Sequence, residues 1–252
     1  MTGGTRTTST GVSVAQVQHS SRSAPRTPVP PSGEQVELHH RDQHAVVVEV
    51  GGGLRSYDVG DREVLQPYAV DDMCDGAHGA PLIPWPNRLG DGRYAWDGTQ
   101  YQVPLTEPEK NNAIHELMRW RSWQVAERDS DRVVMAAHLR PMQGYPFALD
   151  VQVAYLLDDN GLSVTTTAAN VGDSACPYGT GQHPYLSPGA GQVLDDCTLE
   201  LVARTRVDTD DERQLPTGLV PVADSAYDFR SPRQLGDLAM DYAFTDLARD
   251  VQ

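Results

Sequence analysis

The sequence lacks the features that define several large protein classes. Its longest apolar runs, such as Ala45 to Val48, are far too short to cross a lipid bilayer. Basic residues are also scarce, since 35 acidic residues face only 20 lysines and arginines and the formal charge is −15. Affinity for a phosphate backbone depends largely on Lys and Arg. We therefore predict neither a membrane nor a nucleic acid as a partner.

Cysteine is scarce as well. The three cysteines, Cys74, Cys176 and Cys197, are an odd number at long, irregular spacings, and no C-x-x-C pair occurs. This pattern does not match the common zinc or redox motifs. We predict reduced thiols in a cytoplasmic protein, and a catalytic Cys–His pair stays open as an alternative.

Cofactor motifs are absent too. The glycines at 51–53 and 179–181 give neither G-x-G-x-x-G nor a Walker lysine, so turns explain them better than phosphate loops. His39, His40 and His44 could form a metal cluster, but adjacent residues on a strand point to opposite faces, so His39 and His40 cannot easily share one ion. We predict no organic cofactor and no metal.

The chain divides into a tail and one domain. Residues 1–33 contain Arg6, Arg22, Arg26, several prolines and no acidic residue, and they lack the apolar periodicity needed to offset the entropy of ordering. We predict a disordered tail over 1–33 and a single domain over 34–252.

The domain has the pattern of short strands separated by turns, which favours an all-β fold. Asp97-Gly98 separates two aromatic-containing runs and predicts a hairpin. Asn160-Gly161 predicts another between strands at Leu149–Leu157 and from Leu162 onward, with positive φ supplied by these two turn residues. Only residues 234–249 could hold a helix of any length, and Gly236 weakens it.

Three stretches carry groups suited to chemistry: Leu82-Ile-Pro-Trp-Pro-Asn-Arg88, Asn111-Asn-Ala-Ile-His115 and Gly179-Thr-Gly-Gln-His-Pro-Tyr185. Each alone has an ordinary structural explanation. Together they supply a guanidinium, two imidazoles and several aromatic rings. Such a set suits a neutral polyhydroxyl ligand, whose hydroxyls need hydrogen bonds and whose C–H faces pack on rings.

The order and spacing of these motifs resemble the aldose 1-epimerase (galactose mutarotase) family from about residue 36 to the end. Further shared elements are D-G-x-Y-x-W-x-G-x-x-Y-x-V-P from Asp91, Leu215-Pro-Thr-Gly, Tyr227-Asp-Phe-Arg and Asp241-x-Ala-Phe. The resemblance implies a large antiparallel β-sandwich. It also implies an isomerase that interconverts the α and β anomers of a free aldohexose of the galactose or glucose type, without a cofactor. The implied partner is a small-molecule sugar, and we expect a monomer or weak homodimer.

The resemblance also implies roles for single residues. His183 corresponds to the catalytic acid, and His115 is the second histidine of the reaction. Arg88 would hold hydroxyls and stabilise charge on the opening ring, and Asp241 corresponds to a substrate-binding aspartate. Asn87 and Tyr185, within the same motifs, are expected to bind substrate.

Two departures from the family pattern lead to further expectations. The family's base is a glutamate in a late E-P segment, whereas this sequence ends eleven residues after Asp241 and Glu107-Pro108 is no substitute by position. We expect the closing strands of the sandwich to be missing, and sugar to be bound weakly and turned over poorly. Glu116 stands where the family usually has glycine, so strain is expected there if that position needs positive φ.

Two alternatives stay open. One is a non-catalytic carbohydrate-binding remnant. The other is a hexose 6-phosphate mutarotase, which would need basic residues beyond Arg88, and Arg93, Arg119 and Arg121 lie nearby in the sequence.

Overall fold

The computed structural model describes residues 29–248. Residues 1–28 of the predicted tail lie outside the described residues. Its last part is described: the Gly33 amide donates to the Pro30 carbonyl at 2.9 Å, and the Ser32 carbonyl accepts from Val50 at 2.9 Å. The ordered chain thus begins no later than residue 30, a few residues before the predicted boundary at 34.

Two four-stranded antiparallel sheets form the main body. In both, the strands follow one another in chain order, as short turns between antiparallel neighbours require. The first sheet contains β1 (Gln35–His40), β2 (Gln43–Val48), β3 (Leu54–Val59) and β4 (Arg62–Leu65). The second contains β10 (Gln124–Arg128), β11 (Arg132–Leu139), β12 (Leu149–Asp158) and β13 (Gly161–Asn170).

Short ladders connect the remaining segments. Four pairs are β5 (Pro81–Leu82) with β14 (Gly181–Gln182), β6 (Arg88–Gly90) with β9 (Asn112–Ile114), β7 (Arg93–Trp96) with β8 (Thr99–Gln102), and β15 (Thr198–Leu199) with β18 (Arg233–Gln234). A three-stranded sheet has β16 (Ala203–Thr209) between β17 (Pro216–Pro221) and β19 (Phe244–Leu247).

The two predicted hairpins are confirmed. In β7–β8 the turn residues Asp97 and Gly98 have φ of 47° and 74°. In β12–β13 the closing pair is Asp158 with Gly161, and only Gly161 has positive φ, 113°. The prediction that Asn160 shares the left-handed conformation was therefore wrong, because Gly161 alone takes the positive φ at this turn.

The helix considered for residues 234–249 is not formed within the part that the structure describes. Gly236 has φ of 60° and the chain enters β19 at Phe244, so this segment is extended or turned. Between residues 29 and 248 the helical structure consists of two 3-10 turns, Pro108–Lys110 and Leu194–Asp196, and no helix there is long and apolar enough to span a bilayer.

One hydrophobic core joins the two main sheets. Strand β12 alternates buried and more exposed residues, so that its Leu149, Val151, Val153, Tyr155 and Leu157 face inward, and the inward residues of β1 to β4 belong to the same cluster. Strand β1 contacts β11 and β12. The predicted all-β antiparallel sandwich is confirmed. All three cysteines are free thiols, as predicted.

Candidate active site

Two short ladders bring the three predicted motifs together. Pairing of β5 with β14 places the segment before His183 beside the Leu82-Ile-Pro segment. The backbone continues this contact, because Gly79 donates to the His183 carbonyl at 2.9 Å and His183 donates to the Ala80 carbonyl at 3.2 Å. Pairing of β6 with β9 places Arg88 opposite Ile114. Segments about 100 residues apart in the chain therefore meet at one place.

His115 is held by the residue that precedes Arg88. The His115 amide donates to the Asn87 carbonyl at 3.0 Å, and the Asn87 amide donates to His115 Nδ1 at 2.9 Å. Because Nδ1 accepts a hydrogen bond, the proton of the neutral ring is on Nε2. Burial, with smaller contributions from His183, Arg119 and Arg88, lowers the pKa of His115 to about 4. His115 is thus a neutral hydrogen-bond donor at neutral pH.

His183 lies next to His115. The two ring centroids are 5.0 Å apart, with the planes tilted by 54°. Burial also lowers the pKa of His183 below its usual value, while the nearby carboxylate of Asp241 opposes that shift in part. The two imidazoles therefore share one polar environment and are neither on opposite sides of the molecule nor inside a dry core.

Six predicted site residues line a single cavity of ≈ 490 Å³. They come from four separate parts of the chain: Asn87, Arg88, His115, His183, Tyr185 and Asp241. A cavity of this size falls in the range of small-molecule sites. Asp241 is exposed, as is Asn87, and lies in the loop before β19, where its carboxylate accepts a hydrogen bond from Gln214 at 3.1 Å.

Tyr185 closes one side of the cavity through a stack of rings. Its ring lies 3.9 Å from that of His78, nearly parallel, and its hydroxyl donates to the Gly76 carbonyl at 3.2 Å. His78 in turn contacts the Gln66 carbonyl through Nε2 at 2.6 Å. These contacts fix the Tyr185 ring before any ligand arrives.

Arg88 is held by Glu107. Its Nε and Nη2 donate to the two carboxylate oxygens at 2.8 and 3.0 Å, and Asn112 donates to the same carboxylate at 3.0 Å. Burial alone would raise the pKa of Glu107, but hydrogen bonds from Arg88 and Asn112 outweigh burial and the pKa is lowered. Both side chains are nearly buried, so the guanidinium is a fixed donor at the cavity wall.

Sequence reasoning missed several lining residues. Glu107 was noticed only as a Glu-Pro pair and judged by its position in the chain, and its contact with Arg88 depends on the β6–β9 ladder. Arg119 was noticed only as a nearby cation, yet it lines the cavity, and its Nη2 lies 3.8 Å from the Glu116 carboxylate. Asp75, Thr106 and Glu109 also line it and gave no signal in the sequence.

The strain expected at Glu116 falls on its neighbour. His115 has φ of 55°, whereas Glu116 is not among the residues with positive φ. Glu116 is buried, and burial raises the pKa of its carboxyl group. The left-handed residue in this turn is therefore the histidine of the cavity.

Trp85 does not lie in this cavity. It lines a separate apolar cleft with Tyr94 and Pro177. The aromatic surface expected for packing against a sugar is supplied, among the lining residues described, by Tyr185 and the two imidazoles.

The geometry can be compared with known proteins. The sequence profile described as aldose 1-epimerase matches residues 34–251. The chain belongs to the aldose 1-epimerase family. Within this family it is 37% identical over 214 residues to the uncharacterized protein YihR of Escherichia coli (strain K12), covering 84% of this chain and 69% of that protein.

A galactose mutarotase is also similar to this chain, at lower identity. Galactose mutarotase of Homo sapiens is 30% identical over 164 residues, and the match covers 62% of this chain and 46% of that protein. The chain thus matches about half the length of this mutarotase.

Solved structures agree in fold. The galactose 1-epimerase from Lactobacillus acidophilus NCFM has a TM-score of 0.70 at 22% identity, over 81% of this chain and 63% of that one. An aldose epimerase homologue from C. elegans has a TM-score of 0.71 at 21% identity, over 80% and 65% of the two chains. At this identity the likeness shows the sandwich fold alone.

Proposed function

We propose that the protein is an aldose 1-epimerase that interconverts the α and β anomers of a free aldohexose of the galactose or glucose type. The observation that supports this most is the single cavity lined by Arg88, His115, His183 and Asp241, together with Asn87 and Tyr185. Membership of the aldose 1-epimerase family supports the reaction class.

Mutarotation needs one proton to leave the anomeric hydroxyl and another to reach the ring oxygen. The bond between C1 and the ring oxygen then breaks, the open aldehyde rotates about C1–C2, and the steps reverse. In this proposal the acid is His183. A lowered pKa makes its protonated ring a stronger acid, although fewer molecules carry that proton at neutral pH.

The other residues orient the sugar. In this proposal His115 is a neutral ring that donates a hydrogen bond from Nε2 to the sugar, and it does not act as a permanent cation. Arg88 donates to hydroxyl oxygens with its remaining N–H groups, while Glu107 holds its orientation. Asp241 and Asn87 accept from hydroxyls, and the Tyr185 ring covers a C–H face.

We further propose that the 252-residue chain turns substrate over slowly. A general base works best when its pKa lies near the working pH. Glu107 is poorly suited, because Arg88 keeps it ionised and occupies both of its oxygens. Asp241 is exposed, so water weakens its influence on a bound hydroxyl.

Polarimetry tests the reaction. Added protein should speed the relaxation of α-galactose or α-glucose to anomeric equilibrium, and His183→Asn should abolish the acceleration. His138→Gln changes an exposed histidine of β11 outside the cavity and is the matched control. Galactose binding by calorimetry without acceleration would instead favour the non-catalytic binding module, and neither binding nor acceleration would refute both.

A hexose 6-phosphate is the second candidate, and Arg119 is the observation that favours it. Of the three nearby arginines, Arg119 lines the cavity, whereas Arg93 and Arg121 do not. Against it, four carboxylates line the same cavity, and Glu107 already holds Arg88. A phosphate dianion would meet more negative than positive charge, so the neutral sugar is the better substrate.

The same relaxation assay separates the two substrates. For each sugar the measured quantity is the ratio of the relaxation rate with protein to the uncatalysed rate. We expect this ratio to be larger for free glucose than for glucose 6-phosphate. We also expect Arg119→Gln to change the ratio for free glucose only slightly. Faster catalysed relaxation of the phosphorylated sugar, lost in Arg119→Gln, would reverse this assignment.

A further inference from the structure

Two histidines face each other across the hairpin of β1 and β2. A two-residue turn sets the register, so that His39 lies directly opposite His44. The His39 amide donates to the Ser130 carbonyl at 2.7 Å, so it is not used in a bond to His44. Side chains of such non-hydrogen-bonded pairs lie close together. The two rings are stacked with centroids 4.6 Å apart and planes 22° from parallel.

A carboxylate completes a set of three donors. Glu37 precedes His39 by two residues on β1 and therefore points to the same face of the sheet. Its Oε2 lies 3.6 Å from His39 Nε2. One donor atom from each of Glu37, His39 and His44 can be chosen so that all three lie within 4.8 Å of one another. Small rotations of these mostly exposed side chains would bring the atoms onto one ion.

A second carboxylate lies behind one of the rings. Asp58 on β3 pairs with His44, and its Oδ1 is 3.4 Å from His44 Nδ1. This leaves Nε2 of His44 directed away from Asp58. A carboxylate on the far nitrogen of a histidine fixes the ring orientation and makes the other nitrogen a better metal ligand.

We propose that Glu37, His39 and His44 form a binding site for a divalent transition metal ion such as Zn²⁺, with Asp58 orienting His44. Two imidazoles and one carboxylate are a donor set that suits Zn²⁺, Cu²⁺ and Ni²⁺, and water would fill the remaining positions. None of these four residues lines the sugar cavity. The site would link β1, β2 and β3 on the outer face of the first sheet, and it does not depend on the proposed reaction.

The histidine cluster considered from the sequence is thereby revised. His40 contacts Asp159 at 2.7 Å, and as the neighbour of His39 on β1 it points to the opposite face of the sheet. The pair that can share an ion is His39 with His44, which are five residues apart. Only the register of the hairpin reveals it.

Calorimetry with Zn²⁺ on the untagged, EDTA-treated full chain tests this site. We expect one ion per chain at micromolar concentrations. His39→Gln and His44→Gln should each weaken binding at least tenfold, and Asp58→Asn should weaken it about tenfold, as for other outer-shell partners. His138→Gln is the matched control, because His138 on β11 also contacts a carboxylate, Asp150, but lacks a second imidazole.

Thermal unfolding gives an independent readout. Zn²⁺ should raise the Tm of the full chain and of His138→Gln, since an ion that binds only the folded state stabilises it. The rise should vanish in His44→Gln, provided that this variant melts cooperatively without the metal. No binding at 100 µM Zn²⁺, or equal binding by His39→Gln, His44→Gln and the full chain, would overturn the proposal.

Discussion

Arg88 and Glu107 show how one contact prepares a residue for binding. Both side chains are about nine-tenths buried, and the carboxylate receives two hydrogen bonds from the guanidinium. Breaking a buried pair by removing one charge is costly, because the other charge is left without its partner. Glu107→Gln should therefore destabilise the fold by about 3 kcal/mol.

Urea unfolding measures this cost. Glu109→Gln, at a carboxylate that lines the same cavity outside the Arg88 pair, is the control and should change stability by less than about 0.5 kcal/mol. Equal effects of the two substitutions would show that the Arg88 contact contributes nothing specific.

His115 makes the stability of the protein depend on pH. Its pKa in the folded state is about 4, below the ordinary 6.5, so between these values the unfolded chain binds more protons. The contribution of this group is complete above pH 6.5 and is lost as the pH falls toward 4. Between pH 7 and 5 we expect His115 to lower the free energy of unfolding by an amount on the order of 1–2 kcal/mol, after allowance for screening of a partly exposed ring. His115→Gln should abolish this decrease.

The measurement is urea unfolding at several pH values. His138→Gln, at a histidine of β11 outside the cavity, is the comparison variant. If His115→Gln loses stability with falling pH as steeply as the full chain does, the assignment of this loss to His115 is wrong.

At the residue scale, sequence patterns located the groups of the cavity but not their partners. His115, His183 and Arg88 belong to motifs with a fixed order in the chain, so they could be named in advance. Glu107 and Arg119 become neighbours of these residues only through ladders of two or three residues, which leave no periodic signal.

At the scale of secondary-structure elements, the sequence likewise predicts some features and not others. The hairpins at Asp97-Gly98 and at Gly161 were predictable because their turn chemistry is local. Pairing of β5 with β14 joins segments about 100 residues apart, and two-residue strands are too short to be recognised from alternation. The loop around Gly79 could not be predicted from the sequence either, although it determines where the backbone of His183 lies.

Gly79 offers a test at this scale. Its φ is 69°, a Cβ atom would lie 1.9 Å from the Leu54 carbonyl oxygen, and its amide donates to the His183 carbonyl. Gly98 has a similar φ of 74° but nothing within 4 Å of such an atom. Gly98→Ala should cost about 1 kcal/mol, the penalty of the left-handed conformation. Gly79→Ala should cost more than about 3 kcal/mol, because backbone must also move.

Urea unfolding of the two variants compares these costs directly. Gly79→Ala should also weaken galactose binding, since the His183 backbone would shift with the loop, and Gly98→Ala should not. If Gly79→Ala and Gly98→Ala lower the free energy of unfolding equally within error, the added Cβ atom at position 79 is accommodated beside Leu54 without strain.

At the scale of the whole molecule, the core is distributed unevenly. The main buried cluster draws its members from residues 36–157, including nearly all inward positions of β1, β2 and β12. Beyond residue 157, the buried hydrophobic residues in the described part are Ala203, Val222 and Phe229. Leu219 and Leu247, on β17 and β19, are largely exposed. The segment that carries Asp241 thus has far less apolar burial than the strands of the two main sheets.

This imbalance predicts two levels of stability in one chain. Regions with few buried apolar contacts open at a lower free energy than the core. In hydrogen exchange, peptides from 203–248 should exchange well before peptides from 133–157, although both contain paired strands. Galactose should slow exchange near Asp241 more than in β12. A sugar held by both Asp241 and His183 binds only while the segment around Asp241 is folded, so it opposes the local unfolding of that segment. Equal protection of both regions without sugar would contradict this view, and it would mean that the few buried residues beyond 157 hold their strands as firmly as the main core does.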